Sequence, residues 1–485
     1  MRQSGFWKAT QAVAASVCMG LTGCAATGMS EPPPVDLDSV SLTAAAIGSP
    51  QARAAAGSIV IEQSGLSYPT DQAWDPANPI GEAGRFYRWR IDADEAQLIR
   101  EAEQRFPGGI RFWSRIALSP AGGWNIDLIR WRTGDDLLAV GAQDALQTRL
   151  QWERLVPHLL VRQASTAGVV SNTAAGFGYT DAAGAVIEVT VDQETRLPTK
   201  VEQLNAGVVQ SAYHFFDYEP RHGVMMPRRV QVFGAGRLQE EVSLGSTRIA
   251  AVPDLDLVPP AAYAPPPAAG APDARELSPG VFYFDDMPGG YHSMAFDMGD
   301  HVVLAEAPQS PAYAETQRAI LERVLPGKPV RYVLVSHHHG DHTGGLSAWA
   351  ASGATIIVPA GSRVAIERQL RARSFTGDAK IEEVSGRRSF GVRDARIDAY
   401  TVASSHSAAN LLVHSPKTRL LFQGDFFYVP ARGAVPPEFE IVSELRAAIK
   451  TLALDVDQVA GVHGRIADAA ELRASQDFRE SGSRD

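Results

Sequence analysis

The run Val330-Arg331-Tyr332-Val333-Leu334-Val335, bounded by Pro329, opens directly into Ser336-His337-His338-His339-Gly340-Asp341-His342-Thr343-Gly344-Gly345. The first part is rich in β-branched residues and reads as a buried strand. The second puts four imidazoles and a carboxylate into six positions at that strand's end. In extended backbone His337 and His339 point to one side and His338 to the other, so two imidazoles can share an ion. Asp341 and His342 lie where the chain turns toward a helix over 345–351, within reach of a second ion. Imidazole and carboxylate donors without a thiolate suit zinc, with iron or manganese as alternatives.

Three later apolar runs also end on a candidate ligand. Ile397 to Ala403 precedes Ser404-Ser405-His406-Ser407, with Asn410-Leu411-Leu412-Val413 behind it. Leu420-Leu421-Phe422-Gln423-Gly424 ends on Asp425, and Val459-Ala460-Gly461-Val462 ends on His463-Gly464. Strand ends feeding short loops are where an α/β layer presents its chemistry. His338, His414, His292 and His301 sit in no such motif and read as structural.

In order and spacing these residues resemble the metallo-β-lactamase superfamily, whose HxHxDH motif is matched by His337, His339, Asp341 and His342 over a domain of roughly residues 278 to 470. The resemblance implies an α/β fold, the four-layer αβ/βα sandwich, and a dinuclear zinc centre. His337, His339 and His406 would hold the first ion, Asp341, His342 and His463 the second, and Asp425 would touch both. Two cations so placed lower the pKa of a bridging water to roughly 7, giving hydroxide as the nucleophile. Asp341 or Asp425 would pass the proton to the leaving group.

The implied enzyme is a metal-dependent hydrolase of ester or lactone bonds in a small-molecule substrate. Alternatives are a thioesterase or phosphodiesterase of the same fold, a non-catalytic metal-containing carrier of the envelope, and an iron-dependent redox branch. β-Lactam hydrolysis is disfavoured, because the β-lactamases of this fold generally lack an Asp at the position matched by Asp425. Tyr428, three residues on, matches a Tyr that orients the carbonyl oxygen in homoserine-lactone hydrolases of the superfamily. Where many members carry an Asp behind the ligand loop, Val302 to Pro308 offers Glu306, which is either a support for that loop or an ordinary strand-end charge.

Arg2 and Lys8 followed by the apolar stretch Ala9 to Leu21 read as a secretory signal, too short to span a membrane. Its ending, Leu21-Thr22-Gly23-Cys24, resembles the bacterial lipobox, which implies a lipid anchor at Cys24. Ala25 lacks the Asp that commonly retains lipoproteins at the inner membrane, so the outer membrane, facing the periplasm, is the expected address. Cys18 and Cys24 are the only two cysteines, so no disulfide can support the mature fold. A net charge of −10 without a basic cluster argues against nucleic acid as a partner. Oligomeric state leaves no mark in the sequence.

The expected organisation is a signal peptide (1–23), a tether (24–56), a mainly antiparallel β accessory domain (57–252), a Pro/Ala-rich linker (253–274), the catalytic domain (275–470) and a polar tail (471–485). The accessory domain rests on alternation in Gln210 to Tyr218, Arg228 to Phe233 and Gln239 to Leu244. Substrate cover, lipid or partner binding, and a simple spacer compete as its role.

Overall fold

The computed structural model describes residues 38–130, 134–167, 170–173, 175–249, 255–435 and 439–480. The signal sequence and Cys24 lie outside the described residues. Among the described residues no helix is long and apolar enough to cross a membrane.

The N-terminal part is built on a 13-stranded sheet in which the first strand, Ser58–Ser67, pairs antiparallel with the last, Arg237–Ile249. Strands Ala83–Asp92, Gln97–Arg105, Arg111–Ser119, Gly122–Asp127 and Leu137–Val140 follow on one side of this junction. The strands from Val224–Gly234 back to Val170–Thr173 follow on the other. Alternation drives the pairing: Tyr87, Trp89 and Ile91 are buried while Arg88 between them is exposed. Helices Ala142–Glu153 and Pro157–Thr166 link the two arms, and Leu159 and Leu160 join Trp89, Ile91, Phe177 and Val230 in one core.

The described end of the expected tether, residues 38–56, belongs to that core. Residues 39–47 and 50–55 form two helices, the first capped by Asp38, whose carboxylate accepts from the Val40 amide at 3.1 Å. Alanine favours helix, and Val40, Ala44 and Ile47 form an i, i+4, i+7 stripe that is buried against the sheet. A composition that reads as a spacer therefore forms a helix packed along one stripe. Nor is the expected linker a free rod over its described residues. Leu255 packs with Ile99, Ala117, Trp124 and Ile126, and the Trp124 indole donates to the Leu257 carbonyl at 2.6 Å. At the other end, helix Ala469–Glu480 runs through most of the expected tail, with Leu472 buried.

The C-terminal part holds two further sheets. The 7-stranded sheet runs Asp273–Ser278, Val281–Asp285, Met294–Asp297, Val302–Ala305, Val330–Leu334, Thr355–Pro359, Ile381–Val384. Its last four strands are parallel, with helices Pro311–Val324, Leu346–Ala351 and Arg363–Ala372 between them. The 6-stranded sheet runs Arg387–Phe390, Ile397–Val402, Asn410–Ser415, Leu420–Gln423, Gln458–Gly461, Ala467–Asp468. Val303, Leu334 and Ile357 of the first meet Leu411, Val413 and Phe422 of the second in one apolar cluster.

This topology decides where the chemistry lies. Val302–Ala305 and Val330–Leu334 are parallel, so Glu306 and the His-rich loop leave the sheet at the same edge. Leu420–Gln423 and Gln458–Gly461 are parallel too, bringing Asp425 and His463 to a common edge. The Leu411 amide donates to the Ser336 carbonyl at 2.6 Å, which ties the two edges together.

Candidate metal centre

Two groups of side chains converge where those edges meet. His337, His339, His406 and Asp425 form one, and Asp341, His342 and His463 the other; within each group, one donor atom per residue lies within 4.8 Å of the others. Asp425 stands between them. Its Oδ2 faces His406 Nε2 at 3.3 Å and His337 Nε2 at 3.9 Å. Its Oδ1 faces His342 Nε2 at 3.1 Å and His463 Nε2 at 3.3 Å. All seven residues expected as ligands from the sequence are thus brought together.

Local structure explains each placement. Gly424 lets the Asp425 turn press against the His-rich loop, since a Cβ there would stand 2.5 Å from Ser336 Oγ and 3.0 Å from His337 Nδ1. Gln423 closes that turn with its side chain: Oε1 accepts from the Phe426 amide at 2.7 Å and Nε2 donates to the Phe427 carbonyl at 2.6 Å. The His406 loop is shaped by Ser404, whose hydroxyl oxygen accepts from the His406 and Ser407 amides at 3.2 and 3.1 Å and from the Asn410 side chain at 3.1 Å. Gly464, at φ +77°, lies against the Tyr428 ring where no side chain would fit.

Glu306 supports the loop from behind. It is fully buried at φ +72°, and one carboxylate oxygen accepts from the Ser336 amide. The other lies 3.4 Å from His342 Nδ1. A carboxylate facing Nδ1 favours the proton there, so that with a cation bound the Nε2 lone pair would be free to ligate. Without one, burial opposes the charged ring, but Asp425 and Asp341 override it and hold the His342 pKa well above its usual value.

The residues fit a metal. Among the described residues, His342 Nε2, both ring nitrogens of His406 and Asp425 Oδ1 are buried without a hydrogen bond. Such orphaned atoms are costly unless something outside the chain satisfies them, and imidazole nitrogens with carboxylate oxygens suit a divalent cation. Burial, helped by neighbouring imidazoles, pushes the pKa of His337 and His339 well below the usual value, which keeps both neutral and able to donate a lone pair. Burial opposes ionisation of Asp425, but His342 and His463 override it and hold the carboxyl well below its usual range.

Tyr428 lies beside His463, ring centroids 5.8 Å apart. Tyr291, which sequence reasoning passed over, is closer: its ring is 4.5 Å from His463 and its hydroxyl donates to Asp341 Oδ2 at 3.0 Å. It follows Pro288-Gly289-Gly290 in a turn with no ligand motif, so the sequence carries no mark of its role. Of the histidines without a motif, His338 does point away, its Nδ1 3.4 Å from Ser407 Oγ. His292 and His414 engage the carbonyls of Phe284 and Asp455, and His301 engages Asp300.

The metallo-beta-lactamase superfamily model matches residues 310–463. A curated relative, the 2,4-dinitroanisole O-demethylase subunit alpha of Nocardioides sp. (strain JS1661), is 25% identical over 175 residues. The match takes in 35% of this chain and 51% of the relative, so the chain spans about half the length of that protein. Among solved structures, the metallo-beta-lactamase FIM-1 of Pseudomonas aeruginosa in its mono-zinc form is 16% identical, covers 45% of this chain and 99% of its own, and gives a TM-score of 0.35. The metallo-beta-lactamase of Hirschia baltica is 18% identical, covers 42% and 96%, and gives 0.33. The stretch that is similar to the metallo-beta-lactamase superfamily contains all seven residues of the His and Asp cluster, whose donors could hold divalent metal.

Proposed function

We propose that this chain is a dinuclear zinc-dependent hydrolase of ester or lactone bonds, with the four-layer αβ/βα arrangement in its catalytic part. One observation carries the reading: Asp425 turns one oxygen to each of two donor groups, the arrangement a bridging carboxylate needs. His337, His339 and His406 would hold one ion, and Asp341, His342 and His463 the other. Two such ions supply a water made acidic enough to attack at neutral pH and an electrophile for the substrate oxygen. Asp341, whose side chain is 30% exposed, is the most open carboxylate of the site and is suited to carry a proton to the leaving oxygen. Substrate would approach on the side of Asp341 and His463, since His337, His339 and His342 are closed to solvent. Tyr428, beside His463, would orient the substrate oxygen there, while Tyr291 keeps its hydroxyl on Asp341.

Likeness to the O-demethylase subunit favours a second reading, cleavage of an activated aryl methyl ether by the same centre. The envelope address belongs to the proposal as well and rests on Leu21-Thr22-Gly23-Cys24: lipidation of Cys24 would tether the enzyme to the outer membrane, facing the periplasm. The test is elemental analysis of the purified protein beside a panel of lactone, ester, thioester, phosphodiester, β-lactam and dinitroanisole substrates. About two zinc per chain with one preferred ester class supports the hydrolase. Preference for dinitroanisole selects the ether reading, and iron without hydrolysis overturns both.

A further inference from the structure

Four consecutive residues of the N-terminal part, Asp71 to Trp74, bond across to the loops that carry the site. They lie in the connection between strands Ser58–Ser67 and Ala83–Asp92. The Asp71 carbonyl accepts from the Gly340 amide at 2.9 Å. The Gln72 side-chain amide donates to Asp341 Oδ1 at 2.7 Å. The Ala73 carbonyl lies 3.0 Å from His339 Nε2. The Trp74 carbonyl accepts from the Ala408 amide at 2.9 Å, and its indole donates to the Ser404 carbonyl at 2.8 Å.

We propose that this connection completes the metal centre, with Gln72 and the Ala73 carbonyl as positioning groups for Asp341 and His339. The proposal rests on the metal reading above and goes further, because it makes the N-terminal sheet part of the site and neither a spacer nor a separate binder.

The chemistry is specific at two points. A carbonyl can only accept, so His339 must carry its proton on Nε2, and the Nδ1 lone pair is then turned toward His337 Nε2, 3.0 Å away, inside the first group. Asp341 is held at both oxygens, Oδ1 by Gln72 and Oδ2 by Tyr291, so the carboxylate plane cannot rotate. Its Oδ2 stays 3.5 Å from His342 Nε2. Groups that orient a ligand in this way typically set metal affinity by 10- to 100-fold.

The connection is itself anchored. Arg368 donates to the Pro76 carbonyl at 3.1 Å and pairs with Asp71 at 3.3 Å. At its base the Gly81 amide donates to the Pro69 carbonyl at 2.8 Å.

The experiment uses the full chain. Zinc is titrated into wild type, Gln72→Ala and Gln72→Met against a chromophoric chelator, and thermal unfolding of each metal-free protein is recorded. Met keeps the volume of Gln and removes only the amide. The expected result is one of two zinc sites weakened at least about tenfold in both variants, the other unchanged within about threefold, and unfolding midpoints that coincide. Two zinc bound with wild-type affinity in both variants overturns this proposal and leaves the metal reading standing. Equal loss at both sites together with a lowered midpoint also overturns it, since Gln72 would then act through folding alone. A wild type that takes up no zinc overturns the metal reading and this proposal with it.

Discussion

Replacing Glu306 by Gln changes no volume and removes one charge, yet it should disturb one half of the site selectively. One carboxylate oxygen accepts from the Ser336 amide, and the other faces His342 Nδ1 at 3.4 Å as an ion-pair contact. A carboxamide has one acceptor oxygen and one donor nitrogen. With its oxygen toward Ser336, its NH2 group faces the Nδ1 proton of His342. Flipped, it sets NH2 against the Ser336 amide instead. Either orientation buries two donors face to face, at a cost of about 1 to 3 kcal/mol. The cheapest escape is for His342 to move its proton to Nε2, which is the nitrogen directed at Asp425, 3.1 Å away. That nitrogen then cannot ligate. The second group should lose about 10- to 100-fold in zinc affinity, or ~1.4 to 2.7 kcal/mol. The first group, whose imidazoles do not touch Glu306, should stay within about threefold. Stepwise zinc titration against a chelator reads both constants, and 15N shifts of the histidine rings read the tautomer. Unchanged second-site affinity with His342 still protonated at Nδ1 would refute the reasoning, as would equal weakening of both sites.

Asp425→Ala should abolish binding of at least one ion and lower kcat/KM far more than Tyr428→Phe; equal losses at unchanged metal content would refute the assigned roles. Gly424→Ala forces a methyl to within 2.5 Å of Ser336 Oγ, so the Asp425 turn must shift by several tenths of an ångström. Activity should fall by about 100-fold with little change in the unfolding midpoint, and wild-type kinetics would show that the turn is not held as tightly as its contacts imply. Buried His158, in the N-terminal core, has its pKa lowered to about 4 by desolvation. The unfolded chain binds that proton from about pH 6.5 downward and the native one does not, so stability is complete above pH 6.5 and falls as pH drops toward 4. Between pH 7 and 5 wild type should lose about 2 kcal/mol more than His158→Gln, measured by urea unfolding; parallel losses in the two proteins would remove His158 as the source.

What the sequence disclosed and what it hid divide along one physical line. His337, His339, Asp341, His342, His406, Asp425 and His463 were legible because a ligand must have a particular side chain, and each follows an apolar run that marks a strand end. The helix Ser39–Ile47 was hidden because alanine composition does not separate a spacer from a packed helix; only the spacing of Val40, Ala44 and Ile47 does. Glu306 was ambiguous because its role depends on a neighbour, the Ser336 amide, that carries no sequence identity. The same holds more strongly for Ala73, whose contribution to His339 is a carbonyl that any residue bears. Gln72 reaches Asp341 across 269 positions, with nothing in either local pattern to announce the other. A site described from its ligands alone therefore stops at the boundary of the catalytic part, whereas the hydrogen bonds that set ligand orientation cross it. Placing two of those bonds on a hairpin connection of a different sheet makes the relative position of the two parts a condition for metal binding. Any motion between them should then appear first as a change in zinc affinity and only later as unfolding.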